Sequence, residues 1–167
     1  MTYIKFDLEN NREFLLKPEG EEFLIHLASN SCDCETLKVI IEFGYMTEEI
    51  ISIIIKRFTE NEKHKWLNNG FGYYVLECIA KNESATSEIL EKIYDFVKEI
   101  HDCYWGNLIT SPVVLVNIIK HIAQNPNTSE GVICKLLASY YTKNDDVKAA
   151  ALEQVKKRGI DLSKLSI

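Results

Sequence analysis

Proline and glycine are scarce. Three prolines and seven glycines in 167 residues argue against a long linker or a disordered low-complexity stretch. No run approaches the roughly 18 apolar residues of a membrane span. The longest patch, Ile50 to Ile55, is interrupted by Ser52 and closed by Lys56-Arg57. The opening Met1-Thr2-Tyr3-Ile4-Lys5 lacks the basic-then-apolar order of a secretory leader, so a cytoplasmic location is expected. Cysteine is limited to five residues, an odd number, and with no leader a disulfide framework is not expected. Cys78 and Cys134 fall in apolar stretches, where cysteine behaves as a small hydrophobe. Cys32-Asp33-Cys34 is the only close pair. One intervening residue is tight for chelation and no second pair exists, so neither a metal nor another cofactor is expected.

Positive charge is also short. Nineteen basic residues face 25 acidic ones, a net charge of −6. The imbalance sits at one end: residues 1–62 carry −7, residues 63–142 carry −1, and residues 143–167 carry +2. An acidic half disfavours a phosphate backbone as ligand, because that needs a basic face. It suits a basic protein partner better. Lys156-Lys157-Arg158 is too short a basic run to indicate nucleic acid.

What is present is helical periodicity in a chain that is 46% hydrophobic and 26% charged. Ile4, Phe6 and Leu8 alternate, which predicts a short strand, with Phe14-Leu15-Leu16 returning as its hairpin partner or as a first helix. From Pro18 the period becomes helical, with apolar residues Phe23, Leu24, Leu27 and Ala28. Asp33 or Cys34 starts a second helix holding Leu37, Ile40 and Ile41, and Gly44 ends it. Thr47 caps a helix through Arg57 or Phe58. Residues 59–72 read as a turn region. Further helices begin near Phe71, after Thr86, after Ser111-Pro112, after Thr128 and after Asn144-Asp145, the last ending at Gly159. Its apolar set is Val147, Ala150, Ala151, Leu152 and Val155.

One phrase recurs three times. Leu27-Ala28-Ser29-Asn30, Ile79-Ala80-Lys81-Asn82 and Ile122-Ala123-Gln124-Asn125 each end a helix and lead into another. Counting from the asparagines, position +7 is Leu37, Ile89 and Val132, and position +11 is Ile41, Ile93 and Leu136. The alanine permits close approach where helices meet. The asparagine suits a helix end, since it tolerates left-handed geometry and caps exposed carbonyls. Ala28, Asn30, Ala80, Asn82, Ala123, Asn125 and Thr128 are therefore the expected structural repeat positions. The alanines are 52 and 43 residues apart. The second spacing falls within the roughly 40–47 residues of HEAT and armadillo units; the first is lengthened by the Thr47–Arg57 helix.

The third unit, Ile122-Ala123-Gln124-Asn125-Pro126-Asn127-Thr128-Ser129 followed by Val132, Leu136 and Ala138, resembles the leucine-rich repeat variant family. Asp145-Asp146-Val147-Lys148-Ala149-Ala150-Ala151 resembles the opening of that family's following helix. The resemblance spans about residues 20–158; the first two units lack the proline. It implies an all-α, right-handed α-solenoid of HEAT-like stacked helices with no intrinsic enzymatic activity. The family's iron–sulfur module is not carried over, because no cysteine precedes Cys32. The chain then reads as one domain: residues 1–17 a cap or short β-hairpin, 18–158 the repeats, 159–167 a tail.

The expected function is a non-enzymatic protein-binding scaffold. Its acidic candidates are Glu19, Glu21, Glu22, Glu48 and Glu49, all in first helical turns, where the helix dipole also favours them. Among the aromatics, Trp66, Trp105 and Tyr74 are expected to plug gaps between units, while Tyr73 and Tyr141 are the surface candidates. His26 and His121 precede the repeat alanine by two residues and are expected to share a structural role. No nucleophile–base arrangement is evident, so no catalytic residue is assigned. The rival reading is a nucleic-acid-binding protein similar in architecture to the HEAT-like alkylpurine DNA glycosylases, which the acidic balance disfavours.

Overall fold

The computed structural model describes residues 12–15, 17–30, 37, 40, 46–57, 71–102 and 113–164, and among them all regular structure is helical. The helices are α1 (Arg12–Leu15), α2 (Pro18–Asn30), α3 (Glu48–Lys56), α4 (Phe71–Lys81), α5 (Ser87–Ile100), α6 (Val113–Gln124), α7 (Glu130–Leu137) and α8 (Asp145–Arg158). A 3-10 turn, Tyr140–Lys143, joins α7 to α8, and another, Leu162–Lys164, follows α8.

Phe14 and Leu15, expected either in a returning strand or in a first helix, lie in the helix α1, which packs on α2. The strand expected over residues 3–8, Asp33, Gly44, and residues 59–70 of the expected turn region 59–72 fall outside the described residues; Phe71 and Gly72, the last two of that region, open α4. Leu37 and Ile40, expected inside a second helix, are helical and buried.

Local chemistry explains most helix ends. Thr47, Thr86 and Ser129 each take an extended conformation and accept the backbone N–H three residues on, at 3.4, 3.4 and 3.2 Å. Asn144 accepts from Asp146 and Val147. Each satisfies donors that the first turn of a helix leaves over. Thr128, expected as the cap of α7, is one residue early. It is buried, and its hydroxyl turns back to donate to the Ile122 carbonyl at 2.5 Å. Gly159 ends α8 at φ 66°, the left-handed geometry that glycine adopts without penalty.

The core runs through every helix from α2 to α8. Ala28, Ala80 and Ala123 are fully buried, as are Leu37, Ile89 and Val132 at position +7. Among the described residues only Gly159 has a positive φ, so Asn30, Asn82 and Asn125 do not act by left-handed geometry. Their side chains act. Asn82 and Asn125 accept the N–H of Ser84 and Asn127 in tight Asx turns. Both turns then close alike, Ala85 N–H on the Asn82 carbonyl and Thr128 N–H on that of Asn125, each at 3.1 Å. Asn30 donates back to the His26 carbonyl, capping its own helix.

The same turns are tied to a neighbouring helix or turn. The buried Asn125 amide donates to the Ala80 and Asn82 carbonyls, both at 2.9 Å. Asn127 donates to the Glu83 and Ala85 carbonyls. From α8, Gln154 donates to the Gln124 carbonyl and Arg158 to that of Thr128. Arg57, at the end of α3, donates to the Ala28 carbonyl at 2.6 Å. Because α4 packs on α6, α6 on α8, and α2 on α3, and their C-terminal ends are joined, neighbours in each of these pairs run the same way. The Thr47–Arg57 helix thus takes beside α2 the place that α6 takes beside α4. α5 packs against α3, α4 and α6.

Removing the Asn125 amide strands the Ala80 carbonyl, which water cannot readily reach, at a cost of about 1–3 kcal/mol, and takes a second donor from the Asn82 carbonyl, which keeps the Ala85 N–H. Asn125→Ala is expected to lower the urea-unfolding free energy by about 2–4 kcal/mol. Asn127→Ala, at an exposed position, should lose about 1 kcal/mol. Equal losses would show that the Asn125 clamp carries no special share.

Candidate interaction surface

The acidic candidates gather through the α2–α3 pair. Ala28 and Arg57 mark a common level. Glu19 and Glu48 each lie nine residues earlier, about 14 Å up their helices at 1.5 Å per residue. Glu19, Glu21, Glu22, Glu48 and Glu49 are all exposed, so the parallel pairing brings their first turns to one end of the pair. The dipoles of both helices point their positive ends at these carboxylates and make the positions favourable.

The aromatic candidates separate differently from expectation. Tyr141 is 4% exposed, held in the 3-10 turn with its ring edge-on to His101, centroids 5.4 Å apart. It offers no surface for a partner. Its hydroxyl has no hydrogen-bond partner among the described residues, and burial pushes its pKa well above the usual phenol range. Tyr74, expected as a buried plug, is 37% exposed, while Tyr73 beside it is half-buried against the core. Leu152, expected inside α8, is 41% exposed. Trp66, Trp105, Cys32 and Cys34 lie outside the described residues.

A second charged surface runs across α4, α6 and α8. Glu77 accepts from Lys81 at 2.7 Å, one turn along α4, and its carboxylate lies 3.5 Å from the His121 ring on α6. Lys120 pairs with Asp146 on α8 at 2.7 Å. Lys135 on α7 pairs with Glu91 on α5 at 2.7 Å. Such exposed pairs are worth about 0–1 kcal/mol each and weaken with salt. His26 and His121 differ despite their equivalent positions. His26 is exposed and within 3.2 Å of the Asn30 amide, whereas His121 is half-buried opposite Glu77. The i, i+4 spacing of Glu77 and Lys81 was visible in the sequence; the partners on other helices were not.

Among the described residues no group of three or more His, Cys, Asp or Glu side chains is placed to hold a metal ion. No helix there is long and apolar enough to cross a membrane. Cys78 and Cys134 are in no disulfide among the described residues and are half-buried on α4 and α7.

The exposures make opposite demands of two tyrosines. Tyr74→Ala should change the melting free energy by no more than about 0.5 kcal/mol. Tyr141→Phe removes a buried unpaired hydroxyl and should be neutral or stabilising by up to about 1 kcal/mol. A clear loss in thermal unfolding of Tyr141→Phe would mean that the hydroxyl is paired in solution.

A scan against protein-family models and searches of curated proteins and of solved structures found no match to this chain.

Proposed function

We propose that this chain is a cytoplasmic helical-repeat scaffold that binds another protein and performs no chemistry of its own. The binding surface is the acid-rich end of α2 and α3, and the partner is basic. The observation that carries the reading is the parallel α2–α3 pair, which sets Glu19, Glu21, Glu22, Glu48 and Glu49 at one end of two packed helices. The charge balance of −7 over residues 1–62 supports it. So does the recurrence of the alanine–asparagine turn, which in a right-handed solenoid of the leucine-rich repeat variant kind builds a stiff surface from stacked units. Stiffness matters because a surface already ordered loses little entropy on binding.

Exposed carboxylates of this kind steer association more than they hold the complex. Neutralising them should therefore slow partner capture and flatten its salt dependence. The test is affinity capture from the native host with the wild-type chain and with a variant carrying glutamine at all five positions, Glu19, Glu21, Glu22, Glu48 and Glu49. Circular dichroism would check that both remain folded. Capture that falls several-fold at low salt supports the reading. A folded variant that captures the same partner equally well refutes it.

A further inference from the structure

His121 is the one half-buried histidine that faces a carboxylate on another helix among the described residues. It lies on α6, four residues before the Asn125 clamp. Glu77 and Lys81 face it from α4, the lysine holding the same carboxylate oxygen that lies 3.5 Å from the imidazole Nε2. Lys120 and Gln124 flank it on its own helix, and Lys120 is turned toward Asp146 of α8. Of the charges on α5, which also packs on α6, Glu88 pairs with Lys92, Glu91 and Asp95 with Lys135, and Lys98 with Asp102.

We propose that the His121–Glu77–Lys81 cluster makes the α4–α6 seam a pH-sensitive joint, closed around a neutral imidazole and loosened when that imidazole takes a proton. An imidazolium at this place gives up water on its buried side. It also meets Lys81, and it must share Glu77 with that lysine. Gaining half of a carboxylate does not offset losing water and facing a second cation. Burial first, and then Lys81, accordingly hold the His121 pKa below its ordinary value, while Glu77 and Gln124 pull weakly the other way.

The sign follows from linkage. An unfolded chain titrates this group near the ordinary imidazole value of about 6.5, and the folded chain titrates it lower. The contribution to stability is complete above that value. It falls as pH drops through it toward the folded pKa. The strain is passed on locally, because α6 carries the Asn125 amide one turn beyond His121, and that amide spans the same seam to Ala80 and Asn82.

The experiment is an NMR titration of the imidazole, assigned by the signal lost in His121→Gln, on the full chain. A midpoint below the ordinary value is expected. Glu77→Gln should lower it further and Lys81→Met should raise it. Amide exchange of Ile122 to Asn125, corrected for intrinsic rate, should quicken several-fold on acidification in the wild type and lose that dependence in His121→Gln. A wild-type midpoint at or above the ordinary value overturns the proposal. So does a midpoint that ignores both Glu77→Gln and Lys81→Met, or exchange that keeps its pH dependence in His121→Gln.

Discussion

A helix end leaves carbonyls without partners inside the helix, and in this protein a neighbour that runs the same way supplies donors to several of them. The Ala28 carbonyl is met by Arg57, those of Ala80 and Asn82 by Asn125, that of Gln124 by Gln154 and that of Thr128 by Arg158. The same need recurs at each turn because the last four carbonyls of any α-helix lack an internal acceptor role. Water would serve at a surface, but these turns are closed by buried alanines and, in the third, by a buried asparagine. A side-chain donor from the neighbour is then the remaining way to avoid a cost of about 1–3 kcal/mol per stranded group. The donor's chemistry varies among arginine, asparagine and glutamine, and the carbonyl it reaches varies by a few residues about the turn.

That requirement orders the helices. A donor near the C-terminal end of one helix can reach the C-terminal turn of its neighbour only if the two run in the same direction. α2 with α3, and α4 with α6 and then α8, all meet this condition. Parallel neighbours add their dipoles instead of cancelling them. Acidic first turns therefore collect on one side of the α2–α3 pair, and the geometry that satisfies carbonyls at one end concentrates carboxylates at the other.

Legibility in the sequence follows the range of each interaction. Thr47, Thr86, Asn144 and Gly159 were readable because a cap is decided within three or four residues. The three alanines were readable because burial of a small residue recurs at one place in each phrase. The Thr128–Ser129 pair was misread, since both hydroxyls suit a cap and the choice rests on whether Thr128 can reach the Ile122 carbonyl. Alignment with Thr86 would have favoured Ser129. The donors Arg57, Gln154 and Arg158 gave no local sign, because their acceptors lie about thirty residues back in the chain. Tyr141 was misplaced for a similar reason. Its burial depends on the 3-10 turn and on His101 of the preceding unit, neither of which a tyrosine pair announces.

The two charged surfaces also differ in what they can respond to. The carboxylates at the head of α2 and α3 are exposed to solvent, where salt screens them. The seam between α4 and α6 is more sheltered. Its ion pair of Lys81 with Glu77 is half-sheltered, and burial first and then Lys81 hold the pKa of the histidine beside it below its ordinary value. A partner held at the α2–α3 end would thus be governed by ionic strength, while the order of the stacked turns behind it would be governed by acidity. The two controls act on different helices, so a variant of Glu77 or Lys81 should shift the second without altering the salt dependence of the first.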